Sequence, residues 1–212
     1  MTVNPASKRV FIKIAILGSF FYINWVPDGY AVNLTAVGAL GVGNASVSSS
    51  AGFSSGFLTS SYGAGILLNF KMARSGSVEL GLLYVPRGFQ ASFSDGTTAA
   101  YTFNTVQVPL AFRYDILKTV SIGIGGYFSH GIGNIAIVGT DSTSQLAYGD
   151  GTYGADDSGG LVSLGLKFPL IKVLSLIVDG RYLYGLQNVS KVPGVTTYLR
   201  DLQVLGGIRF GI

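Results

Sequence analysis

The chain has 212 residues, 48% of them hydrophobic and 11% charged, with 31 glycines, 12 tyrosines, 13 phenylalanines and no cysteine. That charge content is about half the usual share for a soluble domain, so much of the surface is expected to face something other than water; the lack of cysteine excludes disulfides, thiolate metal sites and a cysteine nucleophile. The basic excess is partly local, because Lys8, Arg9 and Lys13 all lie near the N-terminus, and the rest of the chain carries no basic stripe of the kind nucleic-acid binding needs.

Residues 1–31 have the three parts of a secretory signal peptide. Lys8, Arg9 and Lys13 give the charged start, Ile14 to Val26 the apolar run, and Gly29-Tyr30-Ala31 the small residues before a cut placed after Ala31. A retained membrane helix is the alternative, but the run is shorter than the roughly 20 residues a span requires. The mature domain is then 32–212.

Downstream the apolar residues recur at every second position, which is strand periodicity. Segment one, 33–47, is Gly-rich, with Val37, Ala39 and Val47 on one face. Segment two, 61–72, turns Tyr62, Ala64, Ile66, Leu68 and Phe70 outward. In segment three, 77–90, Val78, Leu80, Leu82 and Tyr84 alternate with inward Glu79 and Arg87. In segment four, 102–115, Val106, Val108, Leu110, Phe112 and Tyr114 alternate with Gln107 and Arg113. Pro109 interrupts that strand, and a bulge is expected there. Segment five, 118–131, turns Val120, Ile122, Ile124 and Phe128 outward against Ser121, Gly123, Gly125 and Tyr127. Segment six, 159–169, sets Val162, Leu164, Leu166 and Phe168 against Ser163 and Lys167. Segment seven, 172–186, sets Leu174, Leu176, Val178, Tyr182 and Tyr184 against Asp179 and Arg181. The last segment sets Leu202, Val204, Ile208, Phe210 and Ile212 against Asp201, Gln203 and Arg209.

One face suits lipid and the other a polar interior, the dyad pattern of a transmembrane barrel strand. Backbone groups in lipid must pair, so the strands must close. The fold class is therefore all-β, an eight-stranded antiparallel transmembrane β-barrel preceded by a cleaved signal peptide. Short connections at Ala73–Gly76, Ile116–Leu117 and Leu170–Ile171 alternate with long ones at 48–60, 91–101, 132–158 and 187–198. That alternation matches periplasmic turns and outer loops, with both termini periplasmic. A soluble barrel would put its apolar face inside. Aromatic girdles at the two interfaces are expected from Phe70, Phe112, Tyr114, Phe168 and Phe210 at one end and Tyr62, Phe89, Phe128, Tyr184 and Tyr198 at the other.

The stretches Val78–Tyr84, Val106–Tyr114 and Ile122–Tyr127, the strand holding Gly180-Arg181-Tyr182, and the C-terminal Gly207–Ile212 together resemble the PorT-like, or OmpA-like, outer-membrane β-barrel family. The likeness covers 34–212. It implies insertion by the outer-membrane assembly machinery through the C-terminal strand. Phe210 fits that signal, while Ile212 stands where the pattern ends in an aromatic residue. No peptidoglycan-binding domain follows within the sequence, so wall tethering is not implied.

The inward charges are Glu79, Arg87, Arg113, Lys167, Asp179, Arg181, Asp201 and Arg209. In a barrel of eight strands the interior is about filled by side chains, and buried charges must pair. A salt-bridge plug is one reading, and a small pore for ions or small solutes is the other. His130, the single histidine, lies on the opposite face from Ser129, and no nucleophile motif surrounds it. Asp141, Asp150, Asp156 and Asp157 occupy the longest loop without the spacing of a calcium loop, and read as solvated. The run Gly38–Gly43 lacks the βαβ context of a dinucleotide site. The expected protein is a non-enzymatic structural anchor of the bacterial outer membrane. It has no catalytic residues, metal or cofactor; its partners are membrane lipid, lipopolysaccharide and an unspecified loop ligand.

Overall fold

The computed structural model describes residues 13–16, 19–22, 32–49, 54–56, 58–73, 75–139 and 143–211. Within the first 31 residues the described pieces Lys13–Ile16 and Ser19–Tyr22 pair as an antiparallel two-stranded sheet, separate from the main one; the rest of the expected signal peptide lies outside the described residues, as does Ile212. No helix among the described residues is long and apolar enough to cross a membrane.

Eight long strands make the body: β1 Val32–Ser49, β2 Leu58–Lys71, β3 Gly76–Ser92, β4 Thr98–Asp115, β5 Val120–Gly131, β6 Asp156–Ile171, β7 Leu174–Gly185 and β8 Val195–Gly211. Each pairs antiparallel with the next in sequence, and β8 closes on β1 over a ladder running from Val195 opposite Ser49 to Gly211 opposite Asn33. The result is an up-and-down barrel with no free edge around the ring, so the backbone groups along the ring find partners without water.

Alternation sets the radial direction of each side chain. Tyr62, Leu82, Leu110, Ile124, Leu164, Tyr182 and Leu202 are exposed on the outside, while Leu67, Leu83, Gln107, Leu183, Leu205 and Gln203 are buried within. The shared face of Val37 and Ala39 in β1 turns inward, where both join a buried apolar cluster with Leu67, Leu83, Val85, Ile177 and Leu205. Glycine lets neighbouring strands curve at the tightest contacts. A Cβ on Gly125 would come within 2.1 Å of the Leu110 carbonyl oxygen and 2.6 Å of the Ala111 Cα, so only glycine fits there.

Three sequence expectations need correction. The β6–β7 turn is at 172–173 rather than Leu170–Ile171, because β6 runs on to Ile171 through an irregular register at Pro169. The expected loop 91–101 shrinks to 93–97, since β3 and β4 continue as a hairpin well past the length a membrane needs. Pro109 makes no bulge. Leu80 opposite Leu110 and Leu83 opposite Gln107 keep one register, and pairing lapses only between them. The Pro109 ring instead fills the space over Gly81, where a Cβ would meet its Cγ at 2.7 Å.

The two ends differ. Short turns and both ends of the barrel sheet share one, here the turn end. The other, the loop end, carries a hairpin, Asn134–Gly139 with Thr143–Ala147, that pairs with the top of β4 at Ala99–Thr102. The connection 132–155 thus builds its own sheet on β4 instead of lengthening β5 and β6.

Candidate functional site in the barrel interior

The inward residues of β3 mark depth. From the turn end they run Glu79, Gly81, Leu83, Val85, Arg87 and Phe89, so charge, apolar, charge and aromatic layers follow in order.

The deepest charged layer joins five strands. Glu79 of β3 accepts Arg113 Nη1 at 3.1 Å, Arg181 Nη2 at 2.6 Å and Asn69 Nδ2 at 3.0 Å. Asp179 of β7 accepts Arg113 through both oxygens, at 2.8 and 2.9 Å, and Arg181 Nε at 2.7 Å. Each carboxylate bridges both guanidiniums, so two positive and two negative charges balance in a ring. All four side chains are almost fully shielded, and Arg113 reaches Ser121 Oγ at 3.1 Å as well. Unpaired, any of these ions would cost several kcal/mol here.

Above an apolar layer and the Gln107–Gln203 pair, which meet at 3.4 Å, lies a second charged layer around Arg87. Its Nε donates to Asp201 at 2.5 Å, its Nη1 to Asp157 at 2.6 Å and to Ser129 at 3.1 Å, and its Nη2 to the Tyr127 hydroxyl at 3.1 Å. The Tyr127 hydroxyl donates in turn to Asp157 at 2.8 Å, and the guanidinium carbon sits 4.9 Å from the Tyr127 ring centre. Asp157 is thus no solvated loop acid. It is the second residue of β6, its side chain points into the barrel, and it is 3% exposed. Parity could have found it, since Asp157 lies in step with the inward Ser163 and Lys167, but the glycines that follow mask the strand start.

An aromatic and aliphatic cap closes the loop end. Phe89, Phe103, Ile135, Tyr153, Val189 and Leu199 are buried together, with Phe89 stacked on Tyr101 at 5.1 Å between centres and Tyr153 edge-on to Phe103 at 5.3 Å. Phe89 is therefore an interior residue and not part of a girdle, as its parity with Arg87 dictates. Burial pushes the Tyr148 hydroxyl up to about 12 and raises that of Tyr153 as well, so this cap stays neutral at any physiological pH.

The expected set of eight inward charges is divided in space. Glu79, Arg113, Asp179 and Arg181 meet in the deep layer. Arg87 and Asp201 meet in the upper one. Lys167 and Arg209 join neither and line a cavity of about 480 Å³ that opens at the turn end; Arg209 Nε is held by Thr35 Oγ1 at 3.2 Å. On the outside, Phe112, Tyr114, Phe168 and Phe210 are exposed toward the turn end and Tyr62, Phe128 and Tyr184 toward the loop end, with Phe70 half-buried. Tyr184 also carries the Arg200 guanidinium 3.5 Å from its ring centre.

His130 faces outward and meets Asp156 at 2.7 Å, while the neighbouring Ser129 is buried inside against Arg87. The strand separates the two, so the pair cannot share a proton. Asp150 and Asp156 are exposed, Asp141 lies outside the described residues, and no cluster among the described residues could hold a metal.

Comparison with known proteins agrees with this architecture. No curated protein sequence matches the chain. Among solved structures, the outer membrane protein OprG from Pseudomonas aeruginosa superposes with a TM-score of 0.56 at 13% identity, covering 87% of this chain and 97% of its own. Neisserial surface protein A, NspA, gives 0.46 at 15% identity over 86% and 99%. AlkL in lipid bilayers gives 0.46 at 15% identity over 100% and 97%. The model of the outer membrane protein beta-barrel domain matches residues 28–191. With the family model spanning most of the chain and the ring of eight strands closed, this chain belongs to the outer membrane protein beta-barrel domain family and is a protein of the bacterial outer membrane.

Proposed function

We propose that the protein is a non-enzymatic structural anchor whose barrel is plugged and whose long loops are offered for interaction outside the cell. The observation that carries this reading is the filled interior. Two charged layers, an apolar layer between them and the aromatic cap follow one another along the axis. The cavity at the turn end has Asn69 and Arg113 of the deep layer in its wall. The short-turn and long-loop alternation supports an orientation with termini in the periplasm, and the motifs of β3 to β5 support a PorT-like or OmpA-like kind of barrel. Residues 1–31 serve in this reading as a cleaved export signal, and β8 as the segment read by the assembly machinery. The intact mass of protein extracted from outer membranes tests the cleavage: a mass that retains residues 1–31 overturns it.

A small pore is the second reading. It draws on six buried polar atoms without a protein partner among the described residues, including Gln107 Nε2, Gln203 Oε1 and Asp157 Oδ1, which internal water would satisfy. Single-channel recording separates the two. Membrane-extracted protein in a planar bilayer is expected to give no steady conductance. A steady conductance that rises in Asp179→Ala or Arg181→Ala would mean a water path through the charged layers and would overturn the anchor reading.

A further inference from the structure

We propose that the mouth at the turn end is a binding site for a phosphate-bearing anion. The cavity there has a volume of about 480 Å³, within the range of roughly 300–1,000 Å³ common for small-molecule sites. Its wall brings together Lys71, Lys167, Lys172 and Arg209, with Asp115 as its one uncommitted acid. Arg113 also reaches the wall, but its charge is already matched by Glu79 and Asp179.

The contrast with the layers above is the argument. Deeper in the barrel every buried guanidinium is held by carboxylates, and Glu79 and Asp179 are fully used. At the mouth, Lys71, Lys167, Lys172 and Arg209 form no ion pair with any described carboxylate. Four cations and one acid therefore converge on a half-enclosed space. Like charges in a concave, low-dielectric wall concentrate the field and draw a counter-ion. Neutral donors complete the lining, with Ser77, Ser121 and Ser175 around the cations. A phosphate group, with its several acceptor oxygens, suits such a ring of ammonium and guanidinium donors.

Asn69 and Arg113 of the deep layer stand in the cavity wall, so the anion enters from the turn end. Leu170, Ile171 and Val173 line the same mouth and are exposed at the edge of the apolar outer band. The phosphate has two possible sources, a soluble phosphate or phosphomonoester and the headgroup of an anionic lipid in the leaflet at that end. The proposal does not depend on whether the barrel is an anchor or a pore.

The test uses protein extracted from membranes into a zwitterionic detergent, titrated calorimetrically with inorganic phosphate. Saturable binding is expected. Each of Lys167→Gln and Arg209→Gln should weaken it about tenfold, the loss of one charge-assisted hydrogen bond, while Lys191→Gln at the loop end leaves it unchanged. Lys172→Gln, in an exposed turn, gives a variant whose folding is not in question. The same proteins are then reconstituted in vesicles of equal parts phosphatidylcholine and phosphatidylglycerol and analysed by native mass spectrometry. Phosphatidylglycerol retained by the parent, lost in Lys172→Gln and not displaced by phosphate assigns the site to a lipid headgroup. Displacement by phosphate assigns it to a soluble anion. Absence of both phosphate binding and selective lipid retention, or binding equal in parent and variants, overturns the proposal.

Discussion

Asp179→Ala is expected to destabilise the barrel by about 3–5 kcal/mol, the range for removing one partner from a buried ionic group. The carboxylate accepts three hydrogen bonds from two guanidiniums. Its loss leaves Arg113 and Arg181 to share Glu79 alone, so one positive charge stays uncompensated in a shielded interior. Asp179→Asn keeps shape and some hydrogen bonding and should fall between the two, because the amide supplies one acceptor but no charge. Replacing Glu79, Arg113, Asp179 and Arg181 together by apolar residues of similar volume should cost far less than the single alanine change, since buried ion pairs are often no better than good apolar packing. Urea unfolding in lipid vesicles, followed by the mobility difference of folded and unfolded barrel on unheated gels, measures all three. A midpoint for Asp179→Ala equal to the parent would mean that the deep layer is hydrated and open.

Leu110→Arg and Leu164→Arg should each cost about 2–4 kcal/mol, the penalty for arginine at the midplane of a barrel's lipid face. Both leucines are 55% exposed on the outside, Leu164 midway along β6 and Leu110 paired with Gly126 midway along β5. In water the same change would be harmless, so the experiment reads the solvent of the outer wall as well as the strand parity. Phe168→Arg near the turn end should cost less, because the penalty fades toward the interface. Recovery of folded protein from outer membranes and unfolding in vesicles both report it. Full yield and parent stability for both leucine variants would place this face outside hydrocarbon.

The sequence was most legible where two different solvents face the two sides of one strand. From β2 to β8 the lipid-facing positions stand out because every second residue is apolar, and Leu110, Ile124 and Leu202 follow that rule. The reading failed where strands run past the lipid. Between 91 and 101 the β3–β4 hairpin carries small or polar residues apart from Phe93 and Tyr101, the contrast fades, and strand looks like loop. The same loss of contrast hid Asp157. Phe89 lies near the outer end of β3, where girdle aromatics fall, but shares the inward parity of Arg87. The grouping of charges into two layers and a mouth was out of reach, because Glu79 and Arg181 are 102 residues apart and meet through barrel closure, not through any local pattern.

Closure also sets the order in which the molecule can be made. Arg87 of β3 takes its carboxylates from β6 and β8, across sequence separations of 70 and 114 residues, and β8 also seals the ring against β1. A sheet entering hydrocarbon one strand at a time would hold Arg87 before either of its carboxylates arrived, at a cost of several kcal/mol. Such half-built states are driven out of the membrane. Dehydration of the interior is therefore expected to wait for the last strand, with closure as the slow, long-range step.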